Sequence, residues 1–237
     1  MRFRFLLALC CCCTLFSQAQ MDKWEAFIPQ MSQGIGGGFQ KFNGLNGRIA
    51  NFPQYKGLPS YTANLDMGWF KEKKRVISSG GFSAGSSMGA NHDKESSTIR
   101  FLGLHADAGY NLLRGDRVLL YPLVGLGLES YQARFFQDNS GVDFNNLLGS
   151  SAVQNNVRPL ELKNFFFNYR LGLGVAFRNP AMPHSSIGLQ AGYTGSFSSH
   201  DWRTNNNQVL MNAPEDKLSR VYVSLTMICQ PWYMHHK

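Results

Sequence analysis

Histidine, aspartate and serine occur close together at two places in the chain. These are the residue types that hydrolases use for nucleophilic catalysis. One run is Ser198–Asp201, with the sequence Ser-Ser-His-Asp, and the other lies within His92–Ser97. The same residue types are also ordinary in polar loops. We therefore predict no catalytic residue, and an enzymatic role is kept as the alternative.

A second set of chemically active side chains lies within otherwise apolar segments. If these segments enclose a common interior, acids and bases there would pair, because a lone buried charge is costly. We predict a structural polar network, with a narrow ion path or proton relay through His105 and Asp107 as the alternative. The predicted network consists of Asp66, His105, Asp107, Glu129, Arg170, Gln190 and Arg220.

The composition excludes several classes of protein. Only 16% of the residues are charged and 43% are hydrophobic, which argues against a disordered or coiled-coil chain. No apolar run after the N-terminus reaches the roughly 18 residues that a spanning helix needs. Nothing in the sequence suggests nucleic-acid binding, and we predict no cofactor and no metal site.

The N-terminus has the three parts of a secretory signal peptide. Arg2 and Arg4 are the positive region, Phe5–Phe16 is the apolar core, and Ser17–Ala19 is a small-x-small cleavage site. We place the signal peptide at 1–19. Of the 5 cysteines, only Cys229 follows it, so the mature chain has no internal disulfide and no thiol metal cluster.

The mature chain alternates between strands with a period of two and connections that are long and short in turn. We expect a segment at 20–33 with a short amphipathic helix, a barrel at 34–233, and a tail at 234–237. Long, short, long, short is typical of an up-and-down barrel with one end in the periplasm. The candidate strands are 34–42, 60–70, 75–88, 98–112, 118–134, 161–178, 186–198 and 218–230.

The two faces of these strands decide which type of barrel is predicted. In the sixth candidate, Phe165 and Phe167 alternate with Asn164 and Asn168. The polar face is too rich in glycine and too poor in Lys and Glu for a surface exposed to water. The apolar face therefore points to lipid and the polar face to the lumen. An eight-strand barrel is just wide enough for side chains to fill its interior.

Aromatic residues cluster near the strand ends, which is typical of the two interfacial girdles of a membrane barrel. The alternative is a set of core aromatics in a soluble sandwich. The predicted girdle residues are Tyr61, Trp69, Tyr110, Phe165, Phe177, Phe197 and Trp232.

This pattern resembles the small eight-stranded outer-membrane barrels of the OmpA-barrel and OmpX type. The stretches Leu104–Arg117, Tyr121–Leu128 and Tyr169–Phe177 also resemble the outer-membrane beta-barrel proteins of Bacteroidetes, a group that includes PorT-like proteins. The resemblance covers most of residues 31–233. It implies an all-β fold: an eight-stranded antiparallel up-and-down transmembrane barrel with short periplasmic turns and long extracellular loops, integral to the outer membrane of a Gram-negative bacterium.

The long loops carry the functional prediction, since binding residues usually lie on loops held by a rigid scaffold. We expect a non-enzymatic barrel that acts structurally or docks an envelope protein, with Phe144 and Trp202 as the binding candidates. Outer-membrane lipid and lipopolysaccharide are the other expected partners, and a monomer is expected. A lipid A-modifying enzyme, acyltransferase or deacylase-like, and a narrow channel or transporter are the alternatives.

Overall fold

The computed structural model describes residues 29–87, 96–115, 117–179, 182–206 and 208–229. The predicted signal peptide 1–19, residues 20–28 of the N-terminal segment, Trp232 and the tail 234–237 fall outside these ranges, as does His92. Among the described residues, no helix is both long and apolar enough to cross a membrane.

Eight long strands build the wall of the molecule. Their side chains alternate between exposed and buried along most of each strand, as the sequence pattern requires for a sheet with two different faces. The strands are β1 (Gln30–Gln40), β2 (Tyr61–Lys73), β3 (Val76–Ser86), β4 (Ser96–Tyr110), β5 (Val118–Phe136), β6 (Leu160–Asn179), β7 (Met182–Ser196) and β11 (Ser219–Cys229).

The sheet is a closed meander in which every neighbouring pair is antiparallel. Consecutive strands pair with each other, and β1 then pairs with β11, from Met31 opposite Cys229 to Gln40 opposite Arg220. Each of the eight strands therefore has a hydrogen-bonded neighbour on both sides, and no edge of the wall is left open. The prediction of an eight-stranded antiparallel up-and-down barrel is confirmed.

The first strand corrects one expectation from the sequence. The barrel was expected to begin at residue 34, but Gln30 to Gln33 already belong to β1 and pair with β2. The short amphipathic helix expected in the segment 20–33 stays a prediction for residues 20–28, which lie outside the described ranges. Met31 faces the outer side of the wall from a strand, opposite Trp69. The glycine-rich continuation Gly34–Gly38 favours this extended arrangement, because glycine is unfavourable in a helix interior.

Strand β3 has the weakest alternation in the sequence, and the structure shows why it is still a strand. It pairs with β2 and β4 along its whole length. The Trp69 ring covers Gly80 on the outer face so closely that a Cβ there would lie 3.1 Å from the indole. A neighbouring aromatic ring thus replaces the side chain that Gly80 lacks.

The connections differ at the two ends of the barrel. The long-loop end carries the segments after β1, β3, β5 and β7, and the other end carries shorter connections such as the turn at 74–75. We call these the outer end and the periplasmic end, because long loops face outside in barrels of this kind. The outer connections contain α1 (Asn43–Ile49), α2 (Phe144–Gly149), α3 (Ser151–Val157), β8 (His200–Asp201), β9 (Arg203–Thr204) and β10 (Glu215–Asp216).

Candidate functional site: the lumen and the outer rim

An ion pair lies at the centre of the lumen. Arg220 Nη2 donates to Glu129 Oε1 at 2.6 Å, and Arg220 Nη1 donates to the Tyr131 hydroxyl at 2.7 Å. The same hydroxyl donates to the other Glu129 oxygen at 2.9 Å. All three side chains are almost fully buried, and the guanidinium also lies 4.2 Å from the centre of the Phe101 ring. The buried charge of Arg220 is thus compensated by the Glu129 carboxylate, the Tyr131 hydroxyl and the Phe101 ring.

A second ion pair lies in the same layer. Arg170 Nε donates to Asp107 Oδ1 at 3.1 Å, and Arg170 Nη2 donates to the Tyr222 hydroxyl at 3.5 Å. Gln190 donates to the same hydroxyl at 3.2 Å, and His105 Nε2 is 3.9 Å from Asp107. The structure therefore brings six of the seven predicted lumen residues into two neighbouring clusters.

The seventh predicted residue, Asp66, faces a small cavity between these clusters. The cavity has a volume of about 50 Å³, enough for a few water molecules. His105 and Thr226 also line it, and His105 Nδ1 and Thr226 Oγ1 have no hydrogen-bond partner among the described residues. These polar groups would be satisfied by ordered water, which is the usual solution in a polar interior cavity.

Apolar layers lie above and below the charged layer. At the outer end, α1 lies over the mouth and buries Phe42, Leu45 and Ile49 against residues of β4, β5 and β6. At the periplasmic end, Phe70, Ile77, Leu119, Tyr121, Leu123, Ala176 and Ile228 form a second apolar cluster. The lumen is filled by side chains along its length, so it contains no wide pore within the part of the chain that is described.

The α1 lid is held by one carboxylate. Asp216 accepts hydrogen bonds from the backbone of Gly44 at 2.7 Å and Leu45 at 2.9 Å, and from the Trp202 indole at 2.8 Å. Gly44 lies directly against the Glu215 carbonyl, where a Cβ would clash with the backbone. A glycine is therefore required at this close approach.

Trp202 was expected to be an exposed binding residue of the last loop, and this is wrong. Its side chain is 1% exposed and packs edge-on against Phe42, with the ring centres 5.4 Å apart. Its contact with Asp216 makes it part of the lid, so it is not accessible to an outside partner. Phe144, the other candidate, is 68% exposed.

The predicted girdle residues that the structure describes all lie on the outer surface of the wall. Phe197 stacks on Phe167 at 5.0 Å near the outer end, and Trp69 lies near the periplasmic end. Their side chains are between 41% and 62% exposed. The described residues of this set are Tyr61, Trp69, Tyr110, Phe165, Phe177 and Phe197, and the role of the set as a membrane girdle stays a prediction.

The serine–histidine run at the outer rim forms a short contact. Ser198 Oγ lies 2.9 Å from His200 Nε2. Within the described ranges, no hydrogen bond joins the His200 ring to a carboxylate, and Ser199 instead donates to Glu215 at 2.8 Å. A serine hydrolase needs a third group to orient its histidine. Nor do three or more potential metal ligands come together anywhere in the part of the chain that the structure describes.

Three residues of this site were missed in the sequence. Tyr131 lies two residues after Glu129 on the same face of β5, so the period of two could have found it. Tyr222 stands in the same relation to Arg220 on β11. Asp216 lies in a loop, and no local pattern marks a carboxylate that caps a helix 172 residues away.

Comparisons with known proteins give a matching family model and several solved structures to which the chain is similar. A family model described as an outer membrane protein beta-barrel domain matches residues 8–223. Ail, the attachment invasion locus protein of Yersinia pestis, is 15% identical over 85% of this chain and 97% of its own, with a TM-score of 0.46. Neisserial surface protein A is 9% identical over 85% and 96% of the two chains, with a TM-score of 0.48.

A major outer membrane protein from Thermus thermophilus is 11% identical over 83% of this chain and 98% of its own, with a TM-score of 0.45. A search of curated protein sequences found no match.

The central ion pair predicts a strong asymmetry between single and double substitutions. Glu129→Ala should destabilise the barrel by about 3–5 kcal/mol, because it leaves Arg220 charged and buried. Glu129→Leu combined with Arg220→Met should recover most of that loss, since no unpaired charge remains. Urea titration, with the folded fraction read from the mobility of unboiled samples on SDS gels, measures both. Equal instability of the two variants would contradict this account.

The lid predicts a local effect at the outer end. Asp216→Ala should speed tryptic cleavage after Arg48 by about tenfold, because the loss of charge-assisted hydrogen bonds frees α1 while the wall stays folded. Asp201→Ala, an acid in the same loop, is the control and should cleave at the wild-type rate. An unchanged rate for Asp216→Ala would show that the apolar contacts alone hold α1.

Because all three layers of the lumen are filled by side chains, we expect the protein to conduct no ions in planar bilayers. No steady conductance is expected at moderate voltage, because apolar layers above and below the ion pairs exclude a continuous water path. Flotation of the same proteoliposomes verifies insertion. Steady single-channel steps would refute the filled lumen and favour the ion path through His105 and Asp107.

Proposed function

Since the chain belongs to the family of outer membrane beta-barrel domain proteins, and is an integral protein of the Gram-negative outer membrane, we propose that it acts there as a non-enzymatic docking protein. The tip of the β5–β6 hairpin is the docking surface. Outer-membrane lipid and lipopolysaccharide surround the wall, and a second envelope protein is the partner of the tip.

The observation that carries this proposal is an exposed apolar helix at the tip. Phe144 is 68% exposed and Leu148 is 66% exposed, and α2 has no buried residue. The two side chains lie four residues apart and so share one face of the helix. Large apolar side chains grouped at an exposed site mark an interaction surface.

Local hydrogen bonds hold α2 and α3 at the tip without support from the barrel interior. The Asp143 carboxylate accepts from the Asn145 backbone at 2.7 Å, and Ser150 Oγ accepts from the Val153 backbone at 3.5 Å. These contacts are the standard N-terminal caps of short helices. The tip is thus a shaped surface that presents its apolar face outward.

The hairpin below the tip is a rigid support. Strands β5 and β6 have 19 and 20 residues, whereas a transmembrane strand needs about 9–11. Arg134 pairs with Glu161 at 2.9 Å across the hairpin, and Phe135 packs against Tyr55 with ring centres 6.2 Å apart. The tip is therefore held well above the apolar belt.

A role in a secretion assembly, as the resemblance to PorT-like proteins implies, is one form of this proposal. The enzyme alternative receives little support from Ser198 and His200, because the described residues supply no carboxylate to orient the histidine. The channel alternative receives little support from the filled lumen. Neither alternative uses the exposed tip, which the docking proposal explains directly.

The test uses the full-length protein in its own membrane. A photo-crosslinking residue placed at Leu148 should yield a crosslinked partner band on intact cells. Phe144→Ser should abolish this band, because it removes half of the apolar face, whereas Asn155→Ser on α3 should leave it unchanged. Heat-modifiability on SDS gels checks that each variant folds.

Deletion of residues 138–156 gives the second arm of the test. The barrel should stay folded and the partner found by chemical crosslinking of intact cells should be lost. An unchanged set of crosslinked partners after this deletion would refute the docking proposal.

A further inference from the structure

We propose that the outer wall of the barrel carries a site for one phosphorylated glycolipid of the outer leaflet, with its phosphate on Arg100 and Lys163 and an acyl chain in the groove beneath them. This inference rests on the proposed function only in placing the wall in the outer membrane. It does not depend on the hairpin tip or on its partner.

The basic residues form a row set by the strand register. Arg100 lies opposite Gln132, Gln132 lies opposite Lys163, and Lys163 lies opposite Arg203 on β9. Arg100, Lys163 and Arg203 are exposed on the outer side of the wall. Neighbouring strands are about 4.8 Å apart, so the row spans roughly 15 Å. That length suits the headgroup of a glycolipid bearing more than one phosphate.

The positive charges of this row are not neutralised by described neighbours. The nearest acid along the wall, Glu161, is already bound by Arg134 at 2.9 Å and by the Gln132 amide at 3.3 Å. No carboxylate within the described ranges lies within 4 Å of the charged groups of Arg100, Lys163 or Arg203, since none of them is among the ion pairs. The row is therefore ready to accept an anion.

A groove of about 660 Å³ adjoins this row on the lipid side. Its floor includes the small side chains of Ala63 and Ala84, and its apolar walls include Ile35, Leu65 and Leu102. Small residues between larger ones leave a trough on a wall that is otherwise covered by large apolar side chains. Arg100 and Lys163 also line the groove, so cations and apolar surface belong to one continuous site.

The combination selects the class of ligand. An apolar trough takes a hydrocarbon chain, and an arginine with a lysine takes a phosphate, the arginine with two parallel hydrogen bonds. The ligand is therefore an amphiphile with a phosphate next to its acyl chains. In the outer leaflet of a Gram-negative outer membrane this is the lipid A part of lipopolysaccharide.

A second groove, at the outer rim, is less suited to binding a phosphate. It lies between β1 and β11 and has Lys41 and Lys217 on its edge, but Glu215 and Asp216 line it as well. Acids in the groove would repel a phosphate. No acid is among the described residues that line the groove at Arg100 and Lys163, which favours this groove as the lipid site.

Native mass spectrometry of the full-length protein in mild detergent, titrated with bis-phosphorylated lipid A, tests the proposal. Arg100→Gln combined with Lys163→Gln should weaken binding about tenfold or more, because it removes charge-assisted hydrogen bonds. Arg114→Gln combined with Arg117→Gln removes the same charge from the periplasmic end and should change binding less than about twofold. Heat-modifiability checks that all variants fold.

Two further variants test the apolar groove separately from the basic residues. Ala84→Leu fills the trough without changing charge and should also weaken lipid A binding, whereas Ala191→Leu, on the lipid-facing side of β7, should not. Lipid A from which both phosphates have been removed should bind more weakly than the phosphorylated form. If the dephosphorylated form or phosphatidylethanolamine binds equally well, or if Arg100→Gln with Lys163→Gln binds like wild type, the proposal is overturned.

The outcome is separable from that of the docking proposal. Phe144→Ser should keep full lipid A binding, and Arg100→Gln with Lys163→Gln should keep the crosslink at Leu148. Loss of the crosslinked partner with lipid A binding intact would refute docking alone. Retention of the crosslink with wild-type lipid A binding in the row variant would refute the lipid site alone.

Discussion

The pairing of β1 with β11 is the interaction on which the rest of the structure depends. A strand in hydrocarbon has no water to satisfy its amides and carbonyls, so every strand must have a neighbour on both sides. The ladder from Met31 to Gln40 supplies the last neighbour and closes the wall. Closure with eight strands fixes a narrow diameter, and a narrow interior has room for side chains but little else.

Closure of the barrel encloses charged side chains, and these side chains are compensated by pairing with each other. The inward faces of the strands carry acids and arginines that cannot reach bulk water. They lie in one layer in which Arg220 pairs with Glu129 and Arg170 pairs with Asp107. Apolar layers on both sides keep bulk water away from these pairs, which strengthens their attraction and raises the cost of removing one partner. Each ion pair joins two strands that are far apart in the sequence.

Much of the wall could be predicted from the sequence, because a period of two is a local property. Each of the eight strands overlaps a predicted segment, and the inward position of residues such as Arg170 follows from the same alternation. Which acid meets which base could not be predicted, since Arg220 and Glu129 are 91 residues apart and only the closed register brings them together.

The loops could be predicted least. Trp202 looks like an exposed loop tryptophan in the sequence, and its burial depends on Phe42 and Asp216 in two other segments. The segment before β1 looks amphipathic at helical spacing, yet pairing with β2 and β11 outweighs that local preference from Gln30 onward. In both cases a contact distant in sequence decides the structure, and no local pattern reports it.

The wall of the barrel is not equally high all round, and this affects which part of the barrel is accessible from outside the cell. Strand β5 has 19 residues, roughly nine more than a bilayer-spanning strand needs, and at about 3.4 Å per residue and a tilt near 40° these residues add roughly 23 Å to the height of the wall. The sugar layer nearest the membrane hides low-lying loops from large molecules. Strands β5 and β6 are the longest of the wall, so the tip that joins them is the part of the barrel that such a layer would hide least.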